Sequence, residues 1–282
     1  MNFFKIKSYA KINLSLNVIK KLPSKFHKIE SVISFIKLHD LIFLKPTKLK
    51  KHKVIFLGKF AKGLKKKNSA KELFKILDNE NLLKNQKFEI KIVKNIPQKS
   101  GMGGGSMNVS NIINFLIKKK FLKISKKKIE KISNLIGSDV ILGINSKEKT
   151  INSKYNFIKI VKKLSLNLVI IKPSFGCSTK TIYSNINSFS KTKLKIIRNS
   201  SVKKSEILKL NNDLEVPAFK KYIKLRSLKS YLSKLKNVFF VRMTGSGSAI
   251  VVYFRSEKAA LIALKAIKRK YKNYWCIISK TI

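Results

Sequence analysis

The chain of 282 residues is 44% hydrophobic, enough apolar surface to bury the core of one large domain or of two ordinary ones, which excludes a disordered tail. Its 64 Lys and Arg residues against 13 acidic residues give a formal net charge of +51, which first indicates a polyanionic partner. Five of those 64 are arginines and the lysines are spread along the chain, a pattern that argues against nucleic-acid recognition as the main function.

Strand and helix patterns alternate in the first half of the chain. Apolar residues at every second position from Ile12 to Val18 predict a half-buried strand, with Asn13, Ser15 and Asn17 on the opposite face. The segment that starts at Ser69, read as a capping serine, has helical spacing. The elements predicted here are strands at 11–19 and 88–92 and helices at 69–77, 109–117 and 125–136, the last ended by Gly137.

A lysine-rich, weakly patterned stretch at 145–164 is the predicted boundary between residues 1–150 and 151–282. The elements predicted after it are strands at 166–171, 238–243, 249–254 and 274–278 and helices at 179–187, 215–236 and 256–271. Two segregated halves of mixed elements indicate the α+β class.

A glycine-rich loop, residues 97–108 with the sequence PQKSGMGGGSMN, precedes the helix predicted at 109–117. Clustered glycines let backbone N–H groups approach a ligand, and the helix behind them adds unpaired N–H groups and a positive dipole end. The loop therefore favours phosphate binding over an ordinary turn. It matches neither GxxxxGK[ST] nor GxGxxG, because Ser106 stands where the third glycine of the second pattern belongs.

A second glycine cluster, residues 244–248 with the sequence TGSGS, joins two predicted strands. It is either a tight hairpin turn or a second backbone platform packed against the first loop. On the sequence of this segment alone, the hairpin turn is the better interpretation.

Four aspartates occur in the chain, and Asp139 is the most informative of them. It opens an apolar run, where a carboxylate is costly unless it is paired or functional; the alternative is a helix N-cap. Asp40 is interpreted as a strand-turn residue and Asp78 as a solvent-facing or capping residue. Taken alone, Lys11 reads as a surface lysine and His27 as a structural histidine beside Phe26.

Cysteine usage and the N-terminus indicate the compartment. Cys177 and Cys276 form no CxxC pattern and no Cys/His cluster, which favours free thiols in a reducing cytoplasm. Lysines at positions 5, 7 and 11 interrupt any signal-peptide core, and no apolar run reaches 18 residues. We expect a cytoplasmic protein that does not interact with membranes.

Five short segments in register resemble the GHMP small-molecule kinases. They are residues 8–14 (SYAKINL), Phe26-His27, residues 97–108, residues 137–140 (GSDV) and residues 243–248 (MTGSGS), with Asn212-Asp213 also in order. The resemblance implies an N-terminal ATP-binding domain like domain 2 of ribosomal protein S5 and a C-terminal α/β sandwich. It also implies an active site between the two domains, and ATP and Mg²⁺ as cofactors.

The resemblance assigns roles to single residues. Lys11 and Asp139 match the catalytic pair. Seven residues match nucleotide-binding positions: Lys94, Pro97, Gly101, Gly103, Gly104, Gly105 and Ser106. Five match substrate-facing positions: Asn13, Phe26, His27, Thr179 and Tyr183. No residue is assigned as a metal ligand.

The implied substrate is a small molecule, cytidine diphosphate methylerythritol, phosphorylated on its 2-hydroxyl for isoprenoid precursor synthesis. The chain departs from the family at Gln98-Lys99-Ser100, at Met107 in place of a serine, at Phe26 in place of a tyrosine and at Lys25 in place of a glycine. Two alternatives stay open. One is another GHMP kinase, acting for example on mevalonate or homoserine; the other is a basic RNA-binding protein with an S5-like fold.

Overall fold

The computed structural model describes residues 2–23, 27–64, 68–144, 150–152, 156–160, 164–192 and 204–282. Its strands are β1 (Phe4–Lys21), β2 (His27–Thr47), β3 (Lys53–Leu57), β4 (Lys87–Val93), β5 (Thr150–Asn152), β6 (Asn156–Ile160), β7 (Asn167–Lys172), β8 (Val238–Met243), β9 (Ile250–Phe254) and β10 (Trp275–Lys280). Its helices are α1 (Ser69–Asn79), α2 (Gly104–Lys118), α3 (Lys126–Ile136), α4 (Val140–Gly143), α5 (Thr179–Ser184), α6 (Lys204–Leu208), α7 (Glu215–Lys221), α8 (Ile223–Ser233) and α9 (Glu257–Lys270).

The chain divides into two compact units. The first comprises residues 1–10, 38–97 and 103–147, and the second comprises residues 11–37, 98–102 and 148–282. Mixed α and β elements in both units confirm the predicted α+β class. These units group neighbouring residues and do not test the domain boundary predicted near residue 150.

The first unit packs helices α1, α2, α3 and α4 against strands. Residues Leu41–Thr47 of β2 pair antiparallel with β4, and β3 pairs parallel with β4. The alternating burial of β4 and the apolar faces of α1, α2 and α3 form one core cluster. Its fully buried members include Ile42, Leu44, Leu73, Leu77, Phe88, Ile90, Ile92, Ile112 and Leu116.

Helix ends in this unit follow the capping rules, with one correction. Ser125 caps α3 through the N–H of Lys128, and Gly137 lies at its C-terminus, as predicted. The residue that caps α1 is Asn68, whose side chain accepts from the N–H of Lys71; Ser69 is the first helical residue. The prediction of a capping serine there was wrong because asparagine caps equally well one position earlier.

A polar cluster connects His52, which directly precedes β3, with residues of β4 and α1. The N–H of Phe88 donates to Nδ1 of His52 at 3.0 Å, which leaves Nε2 to donate to Asp78 at 3.1 Å, so the imidazole is neutral. Lys87 also contacts Asp78, at 2.8 Å. Asp78 is therefore a paired residue within this unit and not a free surface carboxylate. Burial lowers the pKa of His52 despite the opposing effect of Asp78.

This cluster predicts a pH dependence of stability. Because the folded state lowers the pKa of His52 below its ordinary 6.5, the unfolded chain binds the proton more readily. The free energy of unfolding should therefore decrease as the pH falls from 7.5 to 5.5. Urea denaturation at both values should show a smaller decrease in His52→Gln than in the wild type. Equal decreases would contradict the argument.

The strand predicted at 11–19 is the middle of the longer strand β1, and its polar face is not exposed. Ile12 and Leu14 are buried as predicted. Ser15 and Asn17, expected to face solvent, are also fully buried. Their polar atoms bond within the second unit: the Oγ of Ser15 accepts from the N–H of Val32, and the amide of Asn17 donates to Asp213 at 3.3 Å. The prediction of a half-buried strand was therefore wrong.

The second unit contains an antiparallel sheet in the order β10-β7-β9-β8. Helices α7, α8 and α9 and this sheet bury a second core that includes Val169, Ile171, Leu225, Leu228, Leu232, Val252, Phe254, Ala260 and Ile267. The helix predicted at 215–236 is interrupted at Tyr222, which separates α7 from α8. Residues Ile29–Ile33 of β2 also pair parallel with β6 in this unit.

Most predicted elements are present, and four strands were missed. β2 and β3 carry no clean alternation, and β5 and β6 fall in the lysine-rich stretch read as a boundary. Helices α4 and α6 were also missed. In β2 and β3 adjacent apolar residues hide the period of two.

Candidate active site

The first unit supplies the N-terminus of α2 at the end of the glycine loop. Gly103 is the N-cap with φ of 66°, a conformation that favours glycine, and it has no side chain with which to cap the helix. The first N–H groups of this 15-residue helix, on Gly104, Gly105 and Ser106, therefore receive no side-chain cap. Gly104 packs on the side chain of Ile96, where a Cβ would lie 3.0 Å from Cγ2. The geometry suits a bound phosphate.

Met107 does not lie on the exposed surface at the start of α2. Its side chain is fully buried, and its sulfur would lie 3.3 Å from a Cβ added at Gly143 of α4. The residue that replaces the family's serine is therefore part of the core between α2 and α4. Ser110 strengthens the same contact by donating to the carbonyl of Val140 at 2.6 Å.

Asp139 lies directly before α4, at the N-cap position. Its side chain makes no capping hydrogen bond to this helix, so the N-cap alternative does not account for the carboxylate. The side chain is neither fully buried nor fully exposed. Two residues earlier, Gly137 faces the hydroxyl of Ser106, with 3.5 Å between the Ser106 oxygen and a Cβ added at Gly137. The start of α4 and the start of α2 are therefore neighbours within the first unit.

Lys94 is buried in the first unit, with 4% of its surface exposed. Its ammonium donates to the fully buried carboxylate of Asp40 in the middle of β2. The same carboxylate accepts from Asn108 of α2 at 3.0 Å. Asp40 is therefore the centre of a polar cluster beside the loop, and its interpretation as a strand-turn residue was wrong.

The second unit holds Lys11 in a hydrogen-bond chain on β1. The Lys11 ammonium donates to Oδ1 of Asn13 at 2.8 Å, and Nδ2 of Asn13 donates to Ser31 at 2.8 Å. Ser31 in turn donates to the carbonyl of Ser15, which fixes the direction of the chain. Lys11 is 4% exposed, so the interpretation of this residue as an ordinary surface lysine was wrong.

The two glycine clusters meet within the second unit. The N–H of Ser248 donates to the carbonyl of Lys99 at 3.2 Å, and Gly101 lies so close to Thr244 that a Cβ would overlap the Thr244 carbonyl oxygen. Thr244 also accepts from the N–H of Asn13 at 3.1 Å. The 244–248 segment is therefore both the connection of two antiparallel strands and a platform for the first loop.

His27 and Tyr183 lie side by side in the second unit. Their ring centroids are 5.1 Å apart at an angle of 39°, and Phe189 lies 6.4 Å from the same histidine. Burial, and then the positive charge of Lys21, lower the pKa of His27, so the imidazole is neutral at pH 7. Thr179 bonds to Ser246 at 2.7 Å. Phe26 lies outside the described residues.

Two sequence comparisons decide the family. The signatures described as GHMP kinases N terminal domain and GHMP kinases C terminal match residues 67–147 and 195–273. The chain is 52% identical, over the whole of both chains, to the 4-diphosphocytidyl-2-C-methyl-D-erythritol kinase of Pelagibacter ubique. The chain belongs to the GHMP kinase family.

Other relatives agree with this GHMP kinase assignment. The kinase of the same name from Caldanaerobacter subterraneus is 30% identical over 99% of this chain and 96% of its own. A crystal structure of 4-(cytidine 5'-diphospho)-2C-methyl-D-erythritol kinase superposes with a TM-score of 0.77, covers 99% of both chains and is 18% identical, which establishes the fold alone. The resemblance found in the sequence and the two-domain GHMP fold are confirmed.

The family makes this GHMP kinase an ATP-using enzyme with a small-molecule substrate. No described helix has both the length and the apolar character needed to cross a membrane. Cys177 and Cys276 are free thiols, and burial raises the pKa of both to about 11.

The described residues include oxygen donors of the kind that Mg²⁺ binds. No group of three or more His, Cys, Asp or Glu occurs among them. Mg²⁺ in phosphoryl transfer is held by one or two protein oxygens together with phosphates and water, so such a group is not needed. The Ser106 hydroxyl near Gly137 and the carboxylate of Asp139 are hard oxygen donors of the kind that Mg²⁺ prefers. The residues of the GHMP kinase fit the ion.

Several site residues were not found from the sequence. Ser31 was missed because serine in a strand carries no distinguishing signal. Asp40 and Asn108 were missed because they lie 68 positions apart. Asp40 did carry a signal, since a carboxylate inside the apolar run KLHDLIFL is the same feature that marked Asp139.

Proposed function

We propose that this GHMP kinase transfers the γ-phosphoryl group of ATP to the 2-hydroxyl of 4-(cytidine 5'-diphospho)-2-C-methyl-D-erythritol in non-mevalonate isoprenoid precursor synthesis. The observation that carries the proposal is the 52% identity, over both entire chains, to a protein of that name. The pair of His27 and Tyr183 supports it, because a planar base requires aromatic and hydrogen-bonding neighbours.

Asp139 is the proposed base. Its carboxylate accepts the proton of the 2-hydroxyl while the hydroxyl oxygen forms a bond to the γ-phosphorus. The bond from that phosphorus to the β,γ-bridging oxygen breaks, and the electron pair leaves with ADP. Because the Asp139 side chain makes no capping hydrogen bond to α4, its protonation breaks no capping bond of this helix.

Lys11 is the proposed electrostatic partner of the reacting oxygen. Its ammonium stabilises negative charge on the attacking oxygen. Asn13 accepts one N–H of this ammonium at 2.8 Å and thereby limits where Lys11 can point. Asn13 acts as an orienting residue for Lys11 in addition to its proposed place beside the substrate.

The start of α2 is the proposed phosphate site. Backbone N–H groups of Gly104, Gly105 and Ser106 donate to phosphate oxygens, and the positive end of the helix dipole favours the charge. Ser106 is the residue that would hold Mg²⁺, together with phosphate and water oxygens. The ion, when bound, neutralises charge on the transferred group. Lys94 contributes positive charge that Asp40 largely offsets.

The test of the function is a coupled ADP-release assay with purified protein, ATP and Mg²⁺. We expect turnover with the cytidylated methylerythritol and little with the uncytidylated alcohol, mevalonate or homoserine. No turnover of the cytidylated substrate would overturn the proposal, as would equal turnover of the uncytidylated alcohol. The assay also separates this kinase from the other members of its family.

Substitution of His27 tests recognition of the cytosine. His27→Ala removes a ring that packs beside Tyr183 and a hydrogen-bonding group, each worth about 1 kcal/mol. We expect the KM for the cytidylated substrate to rise by about 10- to 100-fold, while the KM for ATP stays within about twofold. Steady-state kinetics with each substrate varied in turn measures both. An equal rise in both constants would show that His27 serves the fold and not the base.

A further inference from the structure

Asp40 links the two ends of the glycine loop. Its Oδ1 accepts from the backbone N–H groups of Asn95, at 2.7 Å, and Ile96, at 2.9 Å. Its Oδ2 accepts from Nδ2 of Asn108, at 3.0 Å, and from the ammonium of Lys94. All five residues belong to the first unit.

These partners lie on opposite sides of the loop in sequence. Lys94, Asn95 and Ile96 lead directly into Pro97, and Asn108 is the fifth residue of α2. One carboxylate therefore fastens the segment that enters the loop and the helix that leaves it. The close packing of Gly104 on Ile96 brings the same two segments into direct contact.

Asp40 cannot act as a base in the reaction, because both of its oxygens are already hydrogen-bonded. Four donors occupy its two oxygens, and no part of the residue is exposed. Burial of a carboxylate is costly unless a cation and hydrogen bonds compensate for it, and Lys94 supplies the cation. The pair is neutral, so Asp40 adds no net negative charge beside the phosphate-binding N–H groups.

The acceptor of Asn108 supports a functional role for the cluster. Because Nδ2 donates to Asp40, the orientation of the Asn108 amide is fixed, and Oδ1 is its acceptor. This oxygen is buried and has no hydrogen-bond partner among the described residues. Such an atom is expected where a bound molecule or an ordered water provides the donor.

We propose that Asp40 is a positioning residue for the phosphate-binding loop, acting through Asn108 and through the backbone of Asn95 and Ile96. The proposal rests on the proposed function in one respect, which is that ATP binds at this loop. The competing interpretation is an ion pair that only stabilises the core. The two differ in whether loosening the cluster changes ATP affinity in molecules that remain folded.

The test variant is Asn108→Leu, which keeps the shape of the side chain and removes its donor to Asp40. The bonds of Asp40 to Lys94, Asn95 and Ile96 remain, so no buried charge loses its partner. We expect the KM for ATP to rise by about tenfold, the KM for the alcohol substrate to stay within about twofold, and kcat to fall by less than about threefold. Asn108→Ser is the second variant if the leucine protein does not fold.

The matched control is Asn111→Leu, the same substitution one turn further along α2. The amide of Asn111 donates to the carbonyl of Met107 at 2.8 Å and to Oγ of Ser8 at 3.4 Å, and neither bond involves Asp40. This variant should leave the KM for ATP within about twofold of the wild type. A similar rise in both variants would assign the effect to the helix as a whole and would overturn the proposal.

Hydrogen exchange provides a readout that does not depend on activity. In the protein without nucleotide, Asn108→Leu should speed exchange of the amides of residues 103–106 and leave those at the end of α3 unchanged. An unchanged KM for ATP would overturn the proposal, as would a uniform increase in exchange across the first unit. A wild-type protein without kinase activity would contradict the proposed function alone, since the exchange result would still test whether Asp40 positions the loop.

Discussion

Asp139→Asn should lower kcat by about 10²- to 10⁴-fold while the KM values for ATP and for the alcohol substrate stay within about threefold. Asparagine keeps the size and polarity of the side chain but cannot accept the hydroxyl proton. Because the Asp139 side chain makes no cap bond to α4, the substitution removes no hydrogen bond that this helix needs. Single-turnover measurement of ADP formation by rapid quench, with enzyme in excess over ATP and the alcohol substrate saturating, isolates the chemical step.

The matched control for this variant is Asp78→Asn. Asp78 is an aspartate of the same unit, and its contacts are with His52 at 3.1 Å and with Lys87 at 2.8 Å. It lies partly exposed, so its loss should lower stability by about 1 kcal/mol and leave kcat within about twofold. Near-normal turnover in Asp139→Asn would show that the base assignment is wrong. A large loss of kcat in Asp78→Asn would show that the assay detects a loss of folded protein and not the loss of the base.

Local signals were sufficient for most of the fold. Alternation located β4, continuous apolar runs located β7, β8 and β9, and the residues Ser125 and Gly137 located the ends of α3. The strand that precedes the glycine loop and the helix that follows it were both predicted from their own residues. β4 is buried on one face, whereas β7 and β9 are buried on both, and in each case the pattern of apolar residues in the strand itself reports the burial.

Local signals failed where burial depends on a partner far away in the sequence. Both faces of β1 are buried because polar atoms on one face find partners such as Ser31 and Asp213. No window of the β1 sequence contains those residues. The burial of Lys11 was missed for the same reason. Its partner Asn13 lies two positions away in the sequence, but the burial of the two side chains cannot be read from that sequence.

The candidate site shows both cases side by side. Glycines 101 and 103–105 were evident because their spacing is unusual in any sequence. The family resemblance then drew attention to Lys11 and Asp139, which single positions could not distinguish from surface and capping residues. Asp40 was missed because it needs Lys94 and Asn108 to be understood, and neither lies near it in the chain.

Gly101→Ala should disrupt the second unit, because two independent constraints act at this glycine. Its φ is 75°, a conformation that costs a non-glycine residue about 1 to 2 kcal/mol. An added Cβ would also overlap the carbonyl oxygen of Thr244 and lie 2.9 Å from its carbonyl carbon, so backbone must move. We expect a loss of about 3 kcal/mol or more in the free energy of unfolding. The KM for ATP should rise in whatever protein remains folded.

Gly63→Ala is the control that separates the two constraints. Gly63 has nearly the same φ, 79°, but a Cβ there would meet no atom within 4 Å. This substitution should therefore lower the free energy of unfolding by about 1 kcal/mol, the cost of the backbone conformation alone, and leave ATP binding unchanged. Urea denaturation of both variants, with ATP binding measured by calorimetry, gives the difference due to packing against Thr244. Equal losses in the two variants would mean that the loop shifts without cost, and the close approach of Gly101 to Thr244 would then have no part in holding the phosphate loop.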